Sequence, residues 1–249
     1  MDWWTEFFNN PASQWVCIAI SLLIMVAYEI FLVFVGNAAP YRIAQRTHAR
    51  MRATWVRKIM ARPGTEVVIV QTLRNALMAA SFMASTSMLA LIGMLTLSGL
   101  GDTSGHWNLA SLSDLTTRLI EMKLVLLALV FFASFFFNTM AVRFYTHAGY
   151  MISIGVGTDD PWRRSVAIAY LNRAGFQYSI GVRAFFFCFP VMVSLFNTWL
   201  MMPTTVFLVF LLYQFDRIPF VRPDARIDVN PVAHRGEKQE ADSTEGLDG

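Results

Sequence analysis

Hydrophobic positions gather into four long stretches separated by polar or amphipathic ones, a pattern that predicts membrane-spanning helices rather than a folded aqueous core. One of them covers residues 67–100, VVIVQTLRNALMAASFMASTSMLALIGMLTLSGL. It exceeds the roughly 20 residues that cross a bilayer core. Near its start Gln71, Arg74 and Asn75 stand at i, i+3 and i+4 and share one face. A charge inside a span is costly unless paired or turned inward, so this face is expected to look at protein. Small residues at Ala79, Ser81, Ala84, Ser85, Thr86 and Ser87 extend it and let neighbouring helices approach closely, which makes this helix the expected hub.

A first span is expected over residues 15–36, carrying Glu29 about two turns from its end. A further one covers residues 121–141, with Lys123 placed to snorkel outward and Asn138 near the opposite end. The last apolar region, 178–215, is too long for one crossing, and a break at Asn197-Thr198-Trp199 ahead of Pro203 makes it two. The fold class is therefore all-α, a polytopic helix bundle of five spans, with four as the alternative.

Between the spans, residues 41–62 form an amphipathic stretch, with Arg42, Arg46, Arg50 and Arg57 on one side and Ile43, Met51, Trp55 and Ile59 drifting along another. This predicts a helix lying in the membrane interface, stopped by Pro63 and Gly64. A second amphipathic helix is expected within residues 149–177, after a turn holding Gly155, Gly157, Asp159, Asp160 and Pro161. Short Arg-rich connections stay in the cytoplasm, so both amphipathic helices are expected inside and the N-terminus outside. Five spans also keep Arg217, Arg222 and Arg226 inside. Residues 1–14, with Trp3, Trp4, Phe7 and Phe8 among acids and amides, read as interfacial; 15–219 as the bundle; 220–249 as a disordered acidic tail. Residues 1–16 lack a basic n-region and a cleavage site, so the first span is expected to remain.

Composition agrees with the pattern: 55% hydrophobic, 15% charged and a mean hydropathy of +0.46 exclude an ordinary soluble domain. Cys17 and Cys188 both fall in apolar stretches and are expected to pack as small hydrophobes. The chemistry worth weighing is an intramembrane polar cluster near the cytoplasmic side: Glu29, Gln71, Arg74, Asn75, Asn138, Arg143, His147 and Arg183. In the structural reading Glu29 pairs with Arg74 or Arg143, the amides bridge helices, and Arg183 snorkels to the interface. In the functional reading the excess of arginine binds a lipid phosphate or an acidic solute, or Glu29 and His147 relay protons. The four histidines, His48, His106, His147 and His234, lack paired spacing, so no metal site is expected, and no cofactor. Neither a GxSxG, an HExxH nor a phosphate-loop pattern occurs, and Gly155 and Gly157 make a lone GxG. Arg42, Arg46, Arg50 and Arg57 are expected to meet anionic lipid headgroups rather than nucleic acid, with docking of a cytosolic partner as the alternative.

The string VQTLRNALMAASFMAST resembles the uncharacterised membrane-protein family known as domain of unknown function 599. RATWV with Arg52 and Trp55, MAVRFYTHAGYM with Arg143, Tyr145 and His147, and LNRAGFQYSIGVRAFFFCFP with Arg173, Gly181, Arg183 and Pro190 are similar to it as well, in the same order. The resemblance covers about residues 25–215 and implies a multi-spanning fold without an established activity. The expectation is a multi-pass protein of the cell (inner) membrane, not an enzyme, acting by association with membrane lipid, a partner complex or itself. The alternative is a small anion or solute transporter with an arginine-lined cytoplasmic cavity.

Overall fold

The computed structural model describes residues 10–38, 44–97, 115–157 and 160–216. These form six α-helices and one 3-10 turn, with no strand among the described residues: α1 (Pro11–Ala38), α2 (Ala44–Met60), α3 (Glu66–Leu97), α4 (Leu115–Ile154), α5 (Pro161–Phe196), the turn Thr198–Leu200 and α6 (Met201–Asp216). Five segments are long and apolar enough to cross a membrane, four of them α1, α3, α4 and α5 and the fifth Thr198–Asp216. The chain is an integral membrane protein of all-α architecture. The expected aromatic turn at residues 3–8, Arg42, the polar loop up to residue 114, Asp159 and everything from Arg217 onward lie outside the described residues.

Helix ends follow local chemistry. Asn10 accepts from the Ala12 amide with Pro11 opening α1, and Asp160 accepts from the amides of Trp162 and Arg163 ahead of Pro161. The α4–α5 connection closes through Gly157, whose positive φ of 74° suits glycine. Its amide donates to the Met60 carbonyl at 3.0 Å, tying this turn to the end of α2. The break between α5 and α6 falls at Asn197, which is extended and accepts from the Trp199 amide.

Two helices are longer than the sequence pattern suggests. α4 continues to Ile154 and α5 runs unbroken from Pro161 to Phe196, so the second amphipathic stretch is the first half of α5 rather than a separate helix. No breaker stands at either junction. Polar residues on one side leave the opposite side apolar, and Tyr145, Ala148 and Ile152 of α4 pack there against Leu171 and Ala174 of α5. The helices thus extend beyond a hydrocarbon core as a paired stub.

The stub is where α2 is held. Gln45 lines one cavity with Phe176 and Ile180, Arg52 Nε donates to Asn172 Oδ1 at 3.1 Å, and Met60 reaches Gly157. α2 therefore runs antiparallel beside the first half of α5. Its apolar side, Val56, Ile59 and Met60, is buried in protein with Ile69, Ile152 and Ala167. The C-terminal part of the apolar side thus packs on protein, while Met51, on the same expected side, is exposed. Arg50 and Arg57 remain exposed on its outer side.

Packing centres on α5, which meets α4 over its whole length and also α2, α6 and the 3-10 turn. α3, the expected hub, lies at the periphery and packs chiefly on α4. A layer of small and polar groups knits these three helices between two apolar regions. Ser87 and Ser134 share a hydrogen bond of 2.8 Å, Ser134 donates to the Gly181 carbonyl, and Asn138 Nδ2 donates to the Ser134 carbonyl. Small residues let the backbones meet, as membrane packing requires.

Two polar levels bracket the longest apolar stretches of α4 and α5. Buried Lys123 and Thr198 lie at one, and Arg143 and Arg173 at the other. Twenty residues separate Lys123 from Arg143 on α4, about 30 Å of helix and the thickness of a hydrocarbon core.

Candidate functional site

Arg183 sits ten residues from Arg173 and eleven from Ser194 on α5, which puts it about 15 Å from each polar level. A guanidinium at that depth demands partners, and the fold supplies them from three helices. Nε donates to Glu29 Oε1 at 2.8 Å and Nη2 to Glu29 Oε2 at 3.1 Å, a two-pronged pair between α5 and α1. Nη1 donates to Ser179 Oγ at 2.7 Å, one turn back on α5. The Asp216 carboxylate at the end of α6 stands 3.9 Å from Nη1 and accepts from the Tyr28 hydroxyl at 2.8 Å. The Arg183 side chain is 6% exposed and that of Glu29 is 30% exposed. Two carboxylates facing one guanidinium leave the cluster with spare acceptor capacity.

Beside the ion pair lies a cavity of about 600 Å³, within the range of small-molecule sites. α1 leans on α6 rather than α5, and the gap between α1 and α5 forms the space. Its walls are apolar: Met25, Val26 and Ile30 from α1, Val130 from α4, Phe176, Ile180, Ala184 and Phe187 from α5. Glu29, Arg183 and Gln45 supply its polar groups. Gln45 Nε2 is buried there without a hydrogen-bond partner. Val26, Ile30, Phe34 and Phe176, which line it, are also among the exposed apolar residues, so the cavity opens sideways between helices.

The chain's family is settled by its sequence over nearly the whole bundle: the profile of the family described as protein of unknown function, DUF599, matches residues 16–219. The chain belongs to that family. The matched residues of this DUF599 protein take in every described helix except the first residues of α1, and so both walls of the cavity and the ion pair. Comparison with characterised proteins and with solved structures gives no match.

The eight residues expected to cluster do not form one site. Glu29 and Arg183 come together, and Asn138 is buried in the serine layer. Gln71, Arg74 and Asn75 are exposed on α3, and Arg143 and His147 are exposed on α4. Leu73 packs on Gly149, which sets Arg74 near the level of His147, away from Glu29 and Arg183. Glu29 therefore pairs with neither Arg74 nor Arg143, and Arg183 does not snorkel. The side chains of Arg42 and Arg46 lie outside the described residues, and Arg50 and Arg57 are surface groups of α2.

Sequence reasoning missed Tyr28, Gln45, Ser179 and Asp216 at this site. It also misplaced Lys123, which is 5% exposed and donates to the Ser194 carbonyl at 2.7 Å and Thr198 Oγ1 at 2.8 Å. Lys123 caps the open carbonyl end of α5, where the helix dipole favours a cation. Arg52 is half-buried against Asn172 and Gly175, and burial pushes its guanidinium below the ordinary value, with Tyr145 opposing.

Proposed function

We infer that this protein binds a membrane amphiphile in the cavity between α1 and α5, and acts by that association rather than by turnover. The observation that carries the reading is an apolar space of about 600 Å³ with the Glu29–Arg183 ion pair in its wall. An acyl or isoprenoid chain would occupy the apolar walls. The polar end is constrained by the groups around it. Glu29 and Asp216 retain acceptor capacity, while Gln45 Nε2 is a buried donor without an acceptor. A hydroxyl answers both, since it donates and accepts at once. Lateral entry from the bilayer suits the opening between helices.

Transport of a small anion is the weaker reading. It needs a free arginine, and Arg183 has Nε, Nη1 and Nη2 all engaged by Glu29 and Ser179. The residence we infer is the cell (inner) membrane with the N-terminus outside. Its support is the cluster Arg50, Arg57, Lys58 and Arg62 between α1 and α3, which the positive-inside rule assigns to the cytoplasm.

The test is extraction of the protein from its native membrane, followed by mass spectrometry of what remains bound. A hydroxyl-bearing amphiphile should accompany the wild type and be lost when Ala184→Trp fills the space. An equally loaded Ala184→Trp protein, or a wild type retaining a small anion instead, sinks the reading.

A further inference from the structure

Arg143 and His147 stand four residues apart on α4 and share its exposed face. One and more turns toward the membrane centre the same face continues as Phe136, Phe132 and Leu129, all exposed. The change from apolar to cationic marks the edge of the hydrocarbon. Across the seam on α5, the Arg173 guanidinium lies 5.1 Å from the centroid of the Phe144 ring, the neighbour of Arg143. The Tyr170 ring stands 6.3 Å from Phe144 and 5.7 Å from His147, so the aromatic rings of the two helices are in contact along the seam. Arg143 and Arg173 are exposed and have no carboxylate partner among the described residues, unlike Arg183.

Two guanidiniums, an imidazole and a phenol thus line one seam between α4 and α5, next to the exposed apolar face of α4. We propose that the α4–α5 seam at Arg143, His147, Tyr170 and Arg173 is a binding site for the phosphate of an anionic phospholipid. Arginine forks match phosphate oxygens two at a time, and neither arginine is paired with a carboxylate among the described residues. The lipid's chains run along Phe136, Phe132 and Leu129, which a free phosphate cannot use. This site is separate from the α1–α5 cavity, and its ligand is chosen by charge rather than by a hydroxyl.

The experiment uses the full chain in vesicles of equal parts phosphatidylglycerol and phosphatidylcholine, with a trace of photoactivatable phosphatidylglycerol. Crosslinking is expected on peptides holding Arg143 or Arg173, and competed by phosphatidylglycerol but not by phosphatidylcholine. Each cation beside a lipid surface strengthens such attraction roughly five-fold, so Arg143→Gln with Arg173→Gln should lower labelling there about 25-fold. Labelling confined to α2 around Arg50 and Arg57, labelling unchanged in the double variant, or displacement by inorganic phosphate alone overturns the proposal. The wild-type crosslink position decides even if the double variant fails to fold.

Discussion

Arg183 shows how a single buried charge inside an apolar helix recruits its surroundings. Its three bonded nitrogens are matched by Glu29 and Ser179, and removing Glu29 leaves the buried guanidinium with the more distant Asp216, 3.9 Å away, as its remaining carboxylate. Glu29→Gln should therefore lower stability by about 3 kcal/mol, and adding Arg183→Met should recover part of the loss. Thermal unfolding in detergent of both single variants and the double variant measures the coupling; strictly additive losses would show that the pair is not energetically joined. Lys123 presents the opposite case, a buried cation with neutral partners. Lys123→Met removes the charge and its desolvation cost together, whereas Thr198→Val leaves the ammonium short of an acceptor. The second should be the more damaging, by about 1–3 kcal/mol in the same assay. The sequence made Glu29 and Arg183 visible as ionisable groups inside spans. It could not pair them, because Arg74 and Arg143 lie toward the same end, and the rotation of each helix decides which one faces Glu29.

Among the elements, α2 and the α4–α5 seam carry the sharpest expectations. Val56 is fully buried, while Arg57 beside it is exposed. Val56→Asp should abolish folding or cost more than about 3 kcal/mol, since a charge would enter an apolar core. Arg57→Gln should leave the unfolding temperature nearly unchanged; a tolerated Val56→Asp would mean that α2 lies on lipid after all. Gly181 faces Asn138, and a methyl group there would stand 2.5 Å from Asn138 Nδ2. Gly181→Ala should cost about 1–3 kcal/mol by forcing the buried amide out of the serine layer. The amphipathic character of residues 44–60 and 161–177 was legible from the spacing of arginines and apolar residues. What covers an apolar stripe is another matter: lipid and a neighbouring helix impose the same pattern. The continuity of α4 and α5 was hidden for a related reason, because a helix leaving the membrane changes its polarity without changing its backbone.

At the scale of the whole molecule, five crossings and the break at Asn197 followed from length and from turn residues. The arrangement did not. Small residues on α3 pointed to a central helix, yet the helix that gathers the bundle is α5, whose Ala167, Ala174 and Gly181 are buried against its neighbours. Gln71, Arg74 and Asn75 stand exposed near one end of α3, where the spacing of residues alone does not say which way a helix face turns. The cavity was illegible altogether, since it arises where α1 leans away from α5 and is lined from four helices far apart in the chain. The twenty-residue interval between Lys123 and Arg143 gives the molecule a built-in ruler. In a membrane several ångströms thicker, Arg143 and Arg173 would be drawn below the phosphates, and the surrounding lipid would have to thin to reach them. Each ångström of such mismatch costs a fraction of a kilocalorie per mole, enough to sort proteins among membranes of different thickness. Reconstitution into bilayers of graded acyl length should show greatest thermal stability near a 30 Å core, about the length of that interval.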